Sequence, residues 1–264
     1  MEALIAGHAV DVTPIEREII SLALKAHERP RLLTPSALDP LRDLVGDGAL
    51  DYAQVLVSFH FVNRIADLLH VSPEVLPEPL RRFEAIRRVA TWMASVLIKN
   101  TMDMKNHDYT RAYEEVLEEI APTFKRACGH VPIEELAVLR NRPKLIEVLR
   151  LMLEERQERS SLDPKVLARI HRVVEAALPE GPDDLKGFNG RPSDPVEAFA
   201  FVGTRYAART MERMIEALHA AGYDDLGILD LAIAVADANT WARLYRLTGL
   251  PAEIGYVTEP RDLS

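Results

Sequence analysis

The chain has 264 residues, of which 48% are hydrophobic and 28% charged, and its formal net charge at pH 7 is −9. This composition is ordinary for a globular protein, and the length allows one large domain or two small ones. The acidic balance argues against a nucleic-acid-binding surface. The longest uncharged run, residues 52–63, is far shorter than the ~20 residues that span a bilayer. We therefore predict a cytoplasmic protein with no nucleic-acid or membrane partner.

The chain contains a single cysteine, Cys128. An internal disulfide and a zinc site with four thiolate ligands are therefore excluded. The eight histidines form neither an H-x-x-x-H nor an H-E-x-x-H arrangement. Glycine-rich phosphate loops and dinucleotide-binding fingerprints are also missing from the sequence. These patterns indicate no metal site and no cofactor.

Helical periodicity and helix-start signals run along the first third of the chain. Thr13 is a typical N-cap, followed by proline at N1 and Glu16 at N3, which predicts a helix to about Glu28. A shorter helix begins near Thr34, and a long one is predicted over 48–70. Three prolines between residues 72 and 80 then interrupt the helix pattern.

The remaining chain also reads as helices, with no convincing alternating strand. Residues 80–100 form an amphipathic segment rich in arginine near its start. The loop at 179–195 carries four prolines and three glycines. The other predicted helices cover 108–121, 142–157, 163–178, 195–221 and 225–248. The sequence therefore predicts an all-α fold.

Two distant parts of the sequence resemble each other. Residues 47–71 align without a gap with residues 226–250 at an offset of 179, which places Arg64 opposite Arg243. Two amphipathic helices of similar length also match to some extent by chance. However, the order of short helix, turn and long helix recurs around the matches, which favours two copies of one helical unit about a pseudo-twofold axis. Near such an axis, Asp67 and Arg246 are expected to form an ion pair.

A family resemblance follows from these stretches. Residues 14–73, with Phe61-Val62-Asn63-Arg64-Ile65-Ala66 near their end, resemble the C-terminal part of the alkylhydroperoxidase D-like proteins. Those proteins belong to the carboxymuconolactone decarboxylase superfamily. A second set of segments, 141–155, 162–174 and 208–244, is similar to a fuller unit of the same superfamily in its order of helices.

The resemblance implies a multihelical alkylhydroperoxidase D-like fold with an internal duplication, often assembled as a homo-oligomer. The whole chain would be a single all-α region. Its expected parts are a first repeat unit at 12–75, a helical connection at 76–130, a second and fuller unit at 131–254, and a tail at 255–264.

The chain departs from the family at its best-defined chemistry. The peroxidases of the family use a C-x-x-C pair, in which one thiolate attacks the peroxide and the other resolves the sulfenic acid. The candidate windows here, 204–207 and 209–212, contain no cysteine, and Cys128 has no second thiol. Dithiol peroxidase chemistry is therefore excluded. The decarboxylase branch does not need cysteines, so a cysteine-independent enzyme stays open.

A polar stripe crosses the predicted long helix at 48–70. His60, Asn63, Arg64 and Asp67 share one broad helical face among apolar neighbours. In one interpretation they form a paired polar seam between helices. In the other, Arg64 binds a carboxylate and His60 acts as an acid or base near neutral pH. The matching positions Asn239 and Arg243 would line the same pocket.

Two further groups combine reactive residue types, but simpler explanations fit both. The segment Asp103–Tyr109 is explained by a polar helix-capping loop, and Cys128 beside His130 by a small core residue. The sequence therefore favours a degenerate, non-catalytic family member that forms an oligomer or binds a partner. The alternative is a cysteine-independent enzyme or binder that acts on a small organic acid or lactone, with candidate ligand-binding residues His60, Asn63, Arg64, Asn239 and Arg243.

Overall fold

The computed structural model of the chain describes residues 12–70, 112–159, 161–185 and 190–254. The predicted amphipathic helix at 80–100, the Asp103–Tyr109 cluster and the tail at 255–264 lie outside these residues. So does most of the connection predicted at 76–130.

Within the described ranges the chain forms ten α-helices and no strand, which confirms the all-α prediction. Short 3₁₀ turns at 30–32, 35–38 and 207–209 join some of them. The helices are α1 (Pro14–Glu28), α2 (Asp39–Val45), α3 (Gly48–Leu68), α4 (Tyr113–Cys128), α5 (Ile133–Leu136), α6 (Pro143–Arg159), α7 (Pro164–Ala177), α8 (Pro195–Arg205), α9 (Glu212–Ala220) and α10 (Asp225–Thr248).

Local capping explains where several helices begin. The Thr13 N–H donates to the Glu16 carboxylate at 2.8 Å and the Glu16 N–H donates to Thr13 Oγ1 at 3.3 Å, the reciprocal pair of a capping box. At α8 the Asp194 carboxylate accepts from the Glu197 N–H at 3.0 Å. These bonds satisfy backbone donors that have no intrahelical partner. The predicted starts of both helices are confirmed.

The prediction of one continuous helix over 195–221 is wrong. Helix α8 ends at Arg205, a 3₁₀ turn covers 207–209, and α9 begins at Glu212. The break lets Arg205 Nε donate to the Ala177 carbonyl at 2.8 Å and the Tyr206 hydroxyl donate to the Asp184 carbonyl at 2.9 Å. These contacts join distant parts of the chain, so local periodicity does not show them. The helix predicted at 108–121 is likewise displaced, to Tyr113–Cys128.

Two hydrophobic cores share the long helix α10. One core contains side chains of α1–α6, together with Trp241 and Leu247 of α10. The other contains side chains of α7–α9, together with Leu231 and Val235 of α10 and Leu68 at the end of α3. Helices α3 and α10 also pack along each other. This central pair of helices therefore connects the two cores.

The elements at 14–68 and 195–248 occur in the same order. Each segment has a capped helix with proline at its start, then 3₁₀ structure (two turns in the first segment and one in the second), a short helix and a long helix. Their packing is reciprocal: α3 contacts the turn at 207–209, and α10 contacts the turn at 35–38. Each long helix therefore lies against the other segment, where its polar side chains meet that segment's first helix.

Candidate functional site

Arg64 of α3 is buried and points at the C-terminal end of α8. Its Nη1 donates to the carbonyls of Gly203 and Thr204, the latter at 3.0 Å. The last intrahelical bond at this end joins the Tyr206 N–H to the Val202 carbonyl. The next two carbonyls therefore have no partner within α8, and the guanidinium supplies it.

Arg243 of α10 makes the corresponding contact with α1. The side chain is only 1% exposed, and its Nε donates to the Ala26 carbonyl at 2.9 Å. The Arg29 N–H closes the preceding turn on the Lys25 carbonyl, so Ala26 is the first residue of α1 whose carbonyl lacks an intrahelical partner. Arg243 therefore satisfies the same position of α1 that Arg64 satisfies in α8.

We call this pair of contacts the arginine clamp: Arg64 on the Gly203 and Thr204 carbonyls, and Arg243 on the Ala26 carbonyl. Gly203 and Ala26 are each the third residue from the end of their helix. The C-terminal end of a helix carries about half a negative charge, so a cation there is stabilised. The clamp is reciprocal, because each arginine binds the first helix of the other segment.

Asn239 links the two arms of the clamp and is completely buried. Its Nδ2 donates to Thr204 Oγ1 at 3.0 Å and to the Val235 carbonyl at 2.9 Å. Its Oδ1 accepts from Arg243 Nη1 at 3.2 Å. Thr204 in turn donates to the Ala200 carbonyl at 2.8 Å. The amide is thus hydrogen-bonded through both its nitrogen and its oxygen, as a buried polar group requires.

His60 lies near both guanidinium groups. Its ring stacks on the ring of His27, with centroids 6.4 Å apart and planes 10° apart. Burial, together with the positive charges of Arg243 and Arg64, lowers the pKa of His60 to about 2. The same causes lower the pKa of His27. Because its imidazole is neutral at pH 7, His60 does not provide the imidazolium form that would act as a general acid near neutral pH.

Both clamp arginines are cations held away from water. Burial lowers the pKa of Arg64 to about 10, an effect that the nearby Asp67 carboxylate opposes. Burial and the charge of Arg64 also lower the pKa of Arg243. Nε of Arg64 is buried and has no hydrogen-bond partner among the described residues. This donor is not used by the clamp.

The structure brings together four of the five predicted site residues: His60, Arg64, Asn239 and Arg243. The fifth, Asn63, is exposed on α3. The ion pair expected between Asp67 and Arg246 is replaced by one to Glu175, whose Oε2 lies 2.7 Å from Arg246 Nη2.

Sequence reasoning missed His27 and the three carbonyls that the clamp binds. Backbone carbonyls leave no mark in a sequence. The only available signal was the pair of helix ends themselves, since the first helix of each segment must have unsatisfied carbonyls at its C-terminal end.

The comparisons with known proteins leave the family open. No protein-family model, curated protein or solved structure matches the chain. The resemblance to alkylhydroperoxidase D-like proteins therefore stays a prediction made from residues.

Two further features are absent from the described ranges. No group of three or more histidine, cysteine, aspartate or glutamate side chains in these ranges is placed to hold a metal ion. Among the same residues, no helix combines the length and apolarity needed to cross a bilayer.

Proposed function

We propose that the chain is an alkylhydroperoxidase D-like protein without peroxidase chemistry, and that it works as a non-catalytic helical scaffold that associates with a second copy of itself. The arginine clamp carries this proposal. Nη1 of Arg64, Nδ2 of Asn239, and Nε and Nη1 of Arg243 all donate to buried backbone or side-chain oxygens within the protein. Residues at the expected site thus hold helices together.

The reciprocal packing supports the duplicated fold that the resemblance implies. Matching arginines at an offset of 179 residues bind matching positions of two first helices. A chance similarity between two amphipathic helices would not produce the same contact in both directions.

The residues at 204–207 and 209–212, where the family's peroxidases would carry the C-x-x-C pair, support the absence of dithiol peroxidase chemistry. Thr204 is buried and hydrogen-bonded to Asn239, and the turn at 207–209 presents alanine and arginine. With one cysteine in the chain, a resolving thiol is not available within a single copy. Reduction of a peroxide by a dithiol pair within one chain therefore has no chemical basis here.

An apolar stripe on α3 supports association. Tyr52, Val55 and Phe59 are 37%, 44% and 54% exposed and lie at i, i+3 and i+7 on one face of the helix. We call them the α3 stripe. Contiguous exposed apolar surface of this kind marks a site of protein contact. Since α3 is one of the two central helices, a partner bound at the stripe would contact the helix pair that connects the two cores.

Sedimentation velocity of the full chain tests the proposal. We expect wild type to sediment as a dimer or larger assembly and Phe59→Ser to shift the distribution towards the monomer. Ile133→Ser is the matched control, because Ile133 is 56% exposed on a different helix, α5. A wild-type chain that stays monomeric at all concentrations tested, or an equal shift in both variants, contradicts association through the α3 stripe.

A second measurement tests the absence of peroxidase chemistry. Wild type and Cys128→Ser are incubated with an organic hydroperoxide and a dithiol reductant. We expect both to turn over the peroxide no faster than buffer. Catalytic turnover that disappears in Cys128→Ser would overturn the non-catalytic part of the proposal.

A further inference from the structure

Helix α7 lies along one face of α10. Just before α7 begins, the Ser161 N–H donates to the Asp230 carboxylate at 3.0 Å. Near the end of α7, Arg246 Nη2 donates to Glu175 Oε2 at 2.7 Å. The two helices therefore run in the same direction, and these contacts are separated by about four turns of α10.

The α3 stripe is the face of α3 that matches the covered face of α10. At the offset of 179 residues, its three side chains correspond to three side chains in the core of α7–α9, which are Leu231, Ala234 and Ala238. The α10 side chains are buried, whereas those of the stripe are exposed. Among the described residues, the same position is therefore covered by a helix in the second segment and open to solvent in the first.

Two cations of the second segment hold the C-terminal end of α7. Arg205, the last residue of α8, donates from Nε to the Ala177 carbonyl at 2.8 Å. Arg246 of α10 forms an ion pair with α7. The first segment reverses both charges, because α1 ends at Glu28 and the residue of α3 that matches Arg246 is Asp67.

The two carboxylates of the first segment lie near each other, beyond the stripe. Burial lowers the pKa of His27, and the negative charges of Glu28 and Asp67 both oppose this effect. Asp67 lies about two turns after Phe59 on α3. Asp67 is exposed and Glu28 is half-buried, so both reach solvent. We call Glu28 and Asp67 the acidic end of the stripe.

We propose that the α3 stripe docks an amphipathic helix of a partner protein, oriented as α7 is on α10, with a lysine or arginine beside the acidic end. The apolar face of such a helix would remove the stripe from water. Its cation would complement the two carboxylates, in the reverse of the charge arrangement at α7. A cation in the last turn of a helix is also stabilised by the helix dipole.

This occupant differs from the second copy that the scaffold function calls for. Helix α3 carries no lysine, and its single arginine is the buried Arg64. The α3 of a second copy therefore brings no free cation to the acidic end. The docked helix and the second copy would use the same stripe and exclude each other. The proposal does not depend on self-association, because a monomer offers the same stripe.

Two peptides that differ at one residue test the proposal on the full chain. Both have the sequence of residues 162–178, which includes the apolar face of α7. One keeps the glutamate at position 175 and the other carries Glu175→Lys. Binding is followed by the fluorescence anisotropy of an N-terminal label. We expect the lysine peptide to bind saturably with a Kd below about 1 mM. The glutamate peptide should bind at least about threefold more weakly.

A charge reversal on the protein provides the matched variant. Asp67→Lys supplies the kind of cation that Arg246 provides in the second segment, so we expect it to reverse the order of the two peptides. Asp43→Lys, at an exposed position on α2, changes the net charge equally and should keep the wild-type order. Phe59→Ser should weaken the binding of both peptides, because it removes apolar surface from the stripe.

Three results would overturn the proposal. They are no saturable binding of the lysine peptide at about 1 mM, equal affinities of the two peptides for wild type, and the same change in Asp67→Lys and Asp43→Lys. The first two are read on wild-type protein, so they do not depend on a variant that folds.

Sedimentation velocity of the same samples separates this proposal from the scaffold function. A chain that is monomeric without peptide, yet binds the lysine peptide, supports the helix site and contradicts self-association. A dimeric chain that does not bind the lysine peptide contradicts the helix site alone.

Discussion

A buried arginine that binds backbone carbonyls differs in its energetics from an arginine in a salt bridge. Each clamp guanidinium loses its hydration and gains neutral acceptors at a helix end. The free energy of burying it therefore depends on its hydrogen bonds and on the helix dipole. Removing the side chain leaves the carbonyls buried without donors. The cost of these unpaired carbonyls is larger than the net stabilisation that the hydrogen bonds provide.

The first prediction concerns Arg243. Arg243→Met is expected to lower the free energy of unfolding by about 2 kcal/mol or more, because the Ala26 carbonyl and the Asn239 Oδ1 lose their donor. Urea unfolding followed by circular dichroism measures the change. The exposed Arg213→Met on α9 is the control, expected within about 0.5 kcal/mol of wild type. Equal stabilities of the two variants would show that the clamp contributes nothing.

The second prediction concerns the pH dependence of stability. The pKa of His60 is about 2 in the folded chain, below its ordinary 6.5, so the unfolded state binds the proton more readily. Stability is therefore fully present above pH 6.5 and is lost as the pH falls below it, by up to about 1.4 kcal/mol per pH unit.

Unfolding of His60→Gln at several pH values between 4.5 and 7.5 measures this effect. The slope of stability against pH should become smaller than in wild type, because the titrating group is gone. His130→Gln, at an exposed histidine, should keep the wild-type slope. If both variants retain it, other groups cause the pH dependence.

Residue types that carry the site were only partly predictable. The internal alignment singled out Arg64 and Arg243 together, since both copies preserve the arginine. Asn63 was included because it shares a broad helical face with Arg64, yet it is exposed in the structure. A helical face spans both buried and exposed positions, and periodicity does not locate the boundary between them when the whole helix is apolar.

At the scale of elements, α8 lies unusually close to the two central helices. A Cβ at Gly203 would be 2.9 Å from Leu68 Cδ2 of α3 and 2.9 Å from Val235 Cγ1 of α10. The Leu68 methyl can rotate away, but the β-branched Val235 is stiff and fully buried. The absence of a side chain at Gly203 is therefore what lets α8 approach Arg64.

The third prediction follows from this close approach. Alanine normally stabilises a helix relative to glycine, yet Gly203→Ala is expected to lower stability by about 1–3 kcal/mol through overpacking. Thermal unfolding provides the measurement. Gly48→Ala in α3 is the matched control, because its nearest neighbour would be at an ordinary 3.6 Å, and it should be neutral or stabilising. A stabilising effect in both variants would mean that α8 can move away freely.

The elements themselves were predicted to differing extents. Helix α10 was predicted with its observed bounds, 225–248, since an aspartate N-cap and a C-terminal glycine define it locally. The prediction of a continuous helix over 195–221 is wrong, because at the end of α8 Arg205 and Tyr206 bond to residues more than twenty positions away in the sequence. Signals within a few residues fix helix ends only where no distant contact overrides them.

At the scale of the whole molecule, the shared helix α10 makes the two cores interdependent. Trp241 belongs to the core of α1–α6, whereas Val235, less than two turns away, belongs to the core of α7–α9. Loss of either core removes packing from the same helix. The two cores are therefore expected to unfold together, as a single cooperative unit.

The fourth prediction states this cooperativity in measurable form. With Trp92→Phe, Trp241 is the only tryptophan left and reports on one core, while circular dichroism at 222 nm reports on helices of both. We expect the two urea transitions to coincide in midpoint and slope. A fluorescence transition at clearly lower urea would show that one core opens first, and α10 would then not couple them.

The reciprocity of the arginine clamp also bears on how the sequence can change. Each arginine completes a helix encoded in the other segment, so neither segment contains all the hydrogen-bond donors that its own first helix needs. A substitution at Arg64 removes the donor to the carbonyls of residues 203 and 204, and one at Arg243 removes the donor to the carbonyl of residue 26. A second substitution that compensates for the first must therefore arise in the opposite half of the gene. The two halves of the sequence are thus constrained to change together.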